Sequence, residues 1–220
     1  MIKSQTLQFL SDLSANNNRE WFALNKARHD EARQNVLDFV SEVIKGLAKA
    51  DPEIPLNLDA KDCVMRIYRD IRFSLDKTPY KSNFGAGISP FGKNFNGPGY
   101  YLHISPEECF VAAGCWMPEK DHLKLIRQEI DYNSSEFKEI LANLKSANIK
   151  SHLETDHKLK TAPKGYPADH AEIEYLKLKS FTVILPLKPS DLTKPDAVKK
   201  VVNGLASFVH FVAFLRNAVS

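Results

Sequence analysis

The sequence predicts an α+β fold: one domain over residues 1–220, with an antiparallel-rich central β-sheet packed with helices and long helices towards both ends. Three observations carry that prediction. An apolar stripe at helical spacing follows the N-terminus, and a second closes the chain. Between them lie short runs rich in β-branched and aromatic residues, separated by Gly, Pro and Asn. Successive strands with such turn chemistry favour an antiparallel meander, and helices gathered on one such sheet make an α+β domain. A chain of 220 residues buries roughly 70 % of its unfolded surface, so neither a disulfide nor a metal is needed to hold it.

Taken in order, Phe9, Leu10 and Leu13 make a short amphipathic helix that Asn16-Asn17-Asn18 stops. Asn17 followed by Glu20 has capping-box spacing. Phe22, His29, Ala32, Val36, Phe39, Val40, Val43 and Leu47 then recur at helical intervals, which predicts a long helix over 18–49, ended by Asp51-Pro52 and Pro55. Strands are expected at 62–68, 84–89, 100–104 and 109–114, although Val64, Ile67, Tyr68, Ile71 and Leu75 also fit a helix. Residues 119–131 and 134–147 read as a helical pair. Pro163, Gly165 and Pro167 punctuate a loop over 158–170, and Phe181–Leu187 reads as a buried strand. A last helix over 195–218 carries Val198, Val201, Val202, Leu205, Phe208, Val209, Val212 and Leu215. It is apolar nearly all round after Gly204, so it belongs in the centre of the fold or in a homo-oligomer interface.

The apolar share of 43 % and charged share of 26 % are those of an ordinary globular protein. Three cysteines (Cys63, Cys109, Cys115) without a CxxC favour reduced thiols. The first residues hold no apolar core of signal-peptide length, and the apolar run 204–215 is interrupted by Ser207 and His210 and too short to span a bilayer. The expectation is a cytoplasmic protein with no membrane partner.

Charge is unevenly placed. Residues 61–93 hold seven Lys/Arg against three Asp/Glu, a balance of +4, and the rest of the chain balances to −1. The centre of this region is RIYRDIRFSLDKTPYK, residues 66–81, with five cations and two acids. Arg66, Arg69 and Arg72 offer planar forks for a carboxylate or phosphate, Lys77 and Lys81 add charge, and Tyr80 is placed to orient a ligand. Asp70 is one candidate proton-transfer group. The alternative is an internal ion-pair network in which Asp70 and Asp76 take up the arginines.

Other motifs are weaker. Residues 87–94 approach a Walker loop, but Asn94 replaces the magnesium-binding hydroxyl and Pro98 follows where a helix should open. Asp169-His170, at the end of the second basic loop with Lys160 and Lys164, offers His170 as a second candidate base. His29 and His210 read as core histidines. His152, Glu154, Asp156 and His157 match no established zinc spacing. Cys109 and Cys115 lack an activating neighbour in sequence. Trp21, Trp116, Tyr100 and Tyr101 are stacking candidates, though aromatics usually serve the core.

The blocks FLSDLSANNNREWFALNK, RIYRDIRFSLDKTPYKSNFGAGI, AAGCWMP and LKTAPKGYPADH, in order from Phe9 to His170, resemble domain-of-unknown-function family 2461, a group of uncharacterised proteins known mainly from bacteria and fungi. LKLKSF at residues 176–181 continues the match. The resemblance implies one compact domain in which Arg66, Arg69, Asp70, Arg72, Asp76, Lys77, Pro79, Tyr80 and Lys81 form a family signature. It implies no reaction, cofactor or catalytic residue. The leading expectation is binding, with hydrolysis or transfer as a further step, of a phosphate- or carboxylate-bearing small molecule at this cluster. The alternatives are a nucleic-acid-binding module using the same patch and an interaction protein whose cations pair internally.

Overall fold

The computed structural model describes residues 1–146 and 151–220 and builds one five-stranded antiparallel sheet with helices around it. Helix α1 (Ser4–Ala15) buries Phe9, Leu10 and Leu13. The helix expected over 18–49 is two, α2 (Arg19–Leu24) and α3 (Lys26–Leu47). Asn25 breaks it: its side-chain amide donates to the Trp21 carbonyl at 2.9 Å and its side-chain oxygen accepts from Arg28 at 3.0 Å. Such local bonds compete with helical ones. The cap is also displaced by one residue. Asn18 caps α2 by accepting the Trp21 N–H at 2.8 Å, while Asn17 clamps the backbone of Tyr80, accepting its N–H at 3.1 Å and donating to its carbonyl at 2.9 Å.

The strand expected at 62–68 is not one. Asp59 caps a single helical turn, α4 (Ala60–Cys63), and beyond it only Val64 and Tyr68 form isolated bridges, to Ala86 and Tyr80. The four steps from Val64 to Tyr68 face six from Tyr80 to Ala86, so no continuous ladder can form. The result is a short two-sided arm, pinned by Arg69 N–H to the Pro79 carbonyl and Lys81 N–H to the Ile67 carbonyl.

The other strands fall close to their expected places: β1 (Phe84–Ile88), β2 (Gly99–Ile104) and β3 (Cys109–Cys115) form the meander. They are followed by α5 (Lys120–Tyr132) and α6 (Ser134–Ser146), and the expected end of the second helix, Ala147, lies outside the described residues. A two-residue strand, β4 (His152–Leu153), precedes the helical turn α7 (Ile173–Leu176) and β5 (Phe181–Leu187). The order across the sheet is β1-β2-β3-β5-β4, every pair antiparallel. The chain ends with α8 (Pro189–Leu192), α9 (Ala197–Ala206) and α10 (Val209–Val219).

Alternation then decides what each face carries. Tyr100, Leu102 and Ile104, Val111 and Ala113, and Phe181 and Val183 point into the core, where α3, α9 and α10 cover the sheet. Tyr101, His103, Phe110, Ala112 and Thr182 point the other way. The last apolar helix bends by 46° between α9 and α10. Ser207 turns its hydroxyl back on the Gly204 carbonyl at 2.7 Å, a bond of the kind that bends helices. Val201, Leu205, Phe208, Phe211, Val212 and Leu215 are fully buried, so the helices lie in the centre of the fold. His210, expected in the core, is exposed, because the bend turns that position away from the sheet. Among the described residues no single helix is long and apolar enough to cross a membrane. All three cysteines are free and buried, and burial pushes the Cys63 and Cys115 thiols up to about 11.

Asp191 ties the C-terminal helices to the N-terminus of α8. It accepts from Lys200 at 2.8 Å, from Lys194 at 3.3 Å and from the Lys188 N–H at 3.2 Å, which holds its carboxyl at about 2. A depressed carboxyl stabilises the fold above its unfolded value, and that contribution is lost as pH falls through the folded one. Acid titrations of unfolding should therefore show wild type losing stability between about pH 4 and pH 2, while Asp191→Asn flattens that limb. Superimposable acid limbs would count against the assignment.

Candidate functional site

The arm from Val64 to Ala86 gathers the cluster picked out by sequence, but its cations are not equivalent. Arg69 is spent internally. Its guanidinium binds Asp76 and Thr78, and Asp76 also accepts the Thr78 N–H at 2.9 Å, which together hold the Asp76 carboxyl at about 2. Arg72 forms a bidentate pair with Asp70, at 3.0 and 2.7 Å, at the solvent surface. Arg72 lowers the Asp70 carboxyl, through its side chain first and its N–H second, so Asp70 is an anion near neutral pH. Lys77 caps the Ile71 carbonyl at 3.0 Å. Tyr80 is buried and stacked on Phe22, with ring centroids 4.0 Å apart, and burial raises its hydroxyl.

Two cations remain. Arg66 is exposed, and neither it nor the partly buried Lys81 ammonium makes a side-chain hydrogen bond or ion pair among the described residues. Burial, and secondly the Arg66 charge, push Lys81 below the ordinary lysine value. An anion between two such like charges would offset both the desolvation and the repulsion. Beside it the arm exposes aromatic and aliphatic surface: Tyr68, Leu75 and Phe73, the last 94 % exposed with the Arg72 guanidinium 5.9 Å from its ring centroid.

His170 lies elsewhere. Its Nδ1 accepts the Glu172 N–H at 3.0 Å, which leaves the ring proton on Nε2, donated to Asp131 at 2.9 Å. Asp131, not the adjacent and exposed Asp169, orients the ring, and α7 is capped at Glu172. Nε2 thus fastens the end of the 158–170 loop to α5 while Nδ1 ties it to Glu172, and Arg127 on α5 adds bonds to the Leu176 and Leu178 carbonyls. His29 is buried against Phe22, with ring centroids 5.1 Å apart. His152 and His157 are exposed, and no group of three or more metal-ligating side chains occurs among the described residues. Residues 87–94 end in one 3₁₀ turn at Gly92–Asn94, where Lys93 is held by the Lys61 and Asp62 carbonyls.

A cavity of about 500 Å³ opens on the uncovered face of the sheet. None of the eight residues singled out from the sequence lines it. Glu154 and Thr182 do, together with Tyr101 and Trp116. The sequence marks the two aromatics as stacking candidates, but the pairing of Glu154 with Thr182 has no local signal, because it arises between segments far apart in the chain.

One family model matches most of the chain. The model of a family described as "Conserved hypothetical protein (DUF2461)" matches residues 5–214. No curated protein and no solved structure matches the chain.

Proposed function

This chain belongs to the conserved hypothetical family DUF2461, and from its own residues we propose that it is a cytoplasmic protein that binds the phosphate or carboxylate group of a small molecule on the arm, between Arg66 and Lys81. The observation behind the reading is the unpartnered cation pair, one of whose members burial and its neighbour already push down in pKa. An incoming anion would relieve both penalties. Arg72 adds a recruitable fork, since its pair with Asp70 is largely exposed and such pairs contribute at most about 1 kcal/mol. Arg69 stays with Asp76 and shapes the arm. Should binding lead to hydrolysis or transfer, Asp70 is a carboxylate on the arm that would accept the proton.

A second reading draws on the exposed Tyr68 and Phe73 beside these cations, since aromatic rings along a cationic track suit single-stranded nucleic acid. Thermal unfolding with pyrophosphate, citrate and oligothymidylate separates the two. A probe at a hundred times its dissociation constant adds about 2.7 kcal/mol, or roughly 5–10 °C at this chain length. The shift should come from the small anions and disappear in Arg66→Ala/Lys81→Met. A shift from oligothymidylate alone, falling steeply with salt, favours the nucleic-acid reading. An unchanged shift in the double variant, or none with any probe, overturns both.

A further inference from the structure

The helices cover one face of the sheet and leave the other free. On that face the strands carry very small residues where a floor is needed: Gly87 on β1, and Ala112 and Gly114 on β3. Around them stand Tyr101, Phe110 and Trp116. The result is a concavity with a flat bottom and aromatic walls. Its volume of about 500 Å³ lies within the usual range for small-molecule sites.

Two residues of this wall carry a polar atom without a partner among the described residues. The Glu154 N–H donates to the Thr182 carbonyl at 2.8 Å, which extends the β4–β5 pairing by one residue and sets Glu154 and Thr182 side by side. The Thr182 residue is 8 % exposed and its Oγ1 has no hydrogen-bond partner among the described residues. The Glu154 side chain is 12 % exposed, and its Oε2 likewise has none. Its Oε1 lies 3.7 Å from His157 Nε2, beyond a hydrogen bond. Burial raises the Glu154 carboxyl, against the opposing pull of the nearby His157. Buried polar atoms in native folds are nearly always satisfied, so two orphans at one cavity wall call for a donor from outside the chain.

The backbone aims the wall at this spot. Gly114 sits at φ +124° and Met117 at φ +43°, a conformation that non-glycine residues seldom adopt, and together they turn the chain so that Trp116 lines the mouth. The Met117 N–H is held there by the Ser180 hydroxyl at 2.9 Å. Trp116 is 59 % exposed and meets His157 edge-on, with ring centroids 5.3 Å apart.

We infer that this face is a second binding site, independent of the arm, for a small ring-bearing molecule with a cationic amino or amidino group. The N–H groups would donate to Glu154 and Thr182, the positive charge would pair with the carboxylate, and the ring would lie among Tyr101, Phe110 and Trp116. Lys93, the other charged residue lining the cavity, is occupied by two backbone carbonyls, which leaves His157, at 3.7 Å from Oε1, as the nearby group that an incoming cation would displace. An anionic ligand would instead meet a buried carboxyl and be rejected.

The test uses three probes that share a ring and differ in one group: phenethylamine, 2-phenylethanol and phenylacetate. Protein-detected NMR titration up to about 10 mM suits the affinity that molecules of this size reach. The amine is expected to shift the Ala112 and Thr182 signals and to bind about tenfold more tightly than the alcohol, with phenylacetate weakest. Glu154→Gln should erase the preference for the amine while leaving the alcohol unchanged. Ala112→Leu, which fills the floor, should abolish all three. Arg66→Ala/Lys81→Met should alter none of them, which keeps this site separate from the arm. Tighter binding of phenylacetate, an amine preference that survives in Glu154→Gln, or no shift at Ala112 and Thr182 with the amine would overturn the inference.

Discussion

Asp51→Ala should lower stability by about 3–5 kcal/mol, the usual result of removing one partner from a buried ion pair. Asp51 lies just past the end of α3 with its side chain only 3 % exposed. It accepts two bonds from Arg216 Nη1, at 3.0 and 2.8 Å, one from the Tyr100 hydroxyl at 2.7 Å and one from the Glu53 N–H at 3.1 Å. Arg216, on α10, is itself mostly buried, and its Nε and Nη2 already lack partners among the described residues. Alanine at position 51 would leave a buried guanidinium with no counter-ion. A loss of that size corresponds to a midpoint roughly 6–20 °C lower at this chain length. Asp51→Ala/Arg216→Met should recover much of the loss, because the unpaired charge goes with the arginine. If the double variant is no more stable than Asp51→Ala, the unpaired charge is not the cause. Arg72→Ala is the contrast: its pair with Asp70 is exposed, and a change of less than about 1 kcal/mol is expected.

Gly114→Ala should be as severe for a different reason. At φ +124° an L-residue is strained, and a Cβ at this position would fall on the carbonyl oxygen of Phe181 and against the Phe211 ring. Gly114 pairs with both Gly99 and Thr182, so relief of that overlap requires parting β3 from β5 at the centre of the sheet. The expected cost is about 3 kcal/mol or more, combining backbone strain with a core overlap. Gly165 supplies the control. It has φ +97° but nothing within 4 Å of a built Cβ, so Gly165→Ala should show the strain alone, about 1–2 kcal/mol. Equal losses in urea denaturation would mean that the close approach to Phe181 contributes nothing.

Much of the fold was legible locally because its elements are local. The α1 stripe, the three meander strands, the α5–α6 pair and β5 all follow from periodicity over a few residues and from the turn chemistry between them. What failed did so where a single polar side chain overrides the local pattern. The stripe over 18–49 continues through Asn25, yet side-chain bonds there break the helix. Asn17 has the spacing of a cap and serves Tyr80, 63 residues away. The apolar run after Gly204 bends at Ser207 through one hydroxyl.

The candidate sites divide in the same way. Charge counted along the chain located the cationic arm, because all five of its cations lie within residues 66–81. Composition cannot say which of them are spent. Arg69 and Arg72 pair with Asp76 and Asp70, and Arg66 and Lys81 do not, because the bulged pairing of the arm sets their neighbours. The cavity had still less local trace, since Gly87, Tyr101, Ala112, Glu154 and Thr182 come from five separate segments. Sequence by itself determined the α+β class, the family and the position of the positive charge, because periodicity, motif and net charge are properties of contiguous residues. Only the tertiary structure decided which face of the sheet stays open and which buried polar atoms lack a partner, because both depend on groups that meet in space across long stretches of chain.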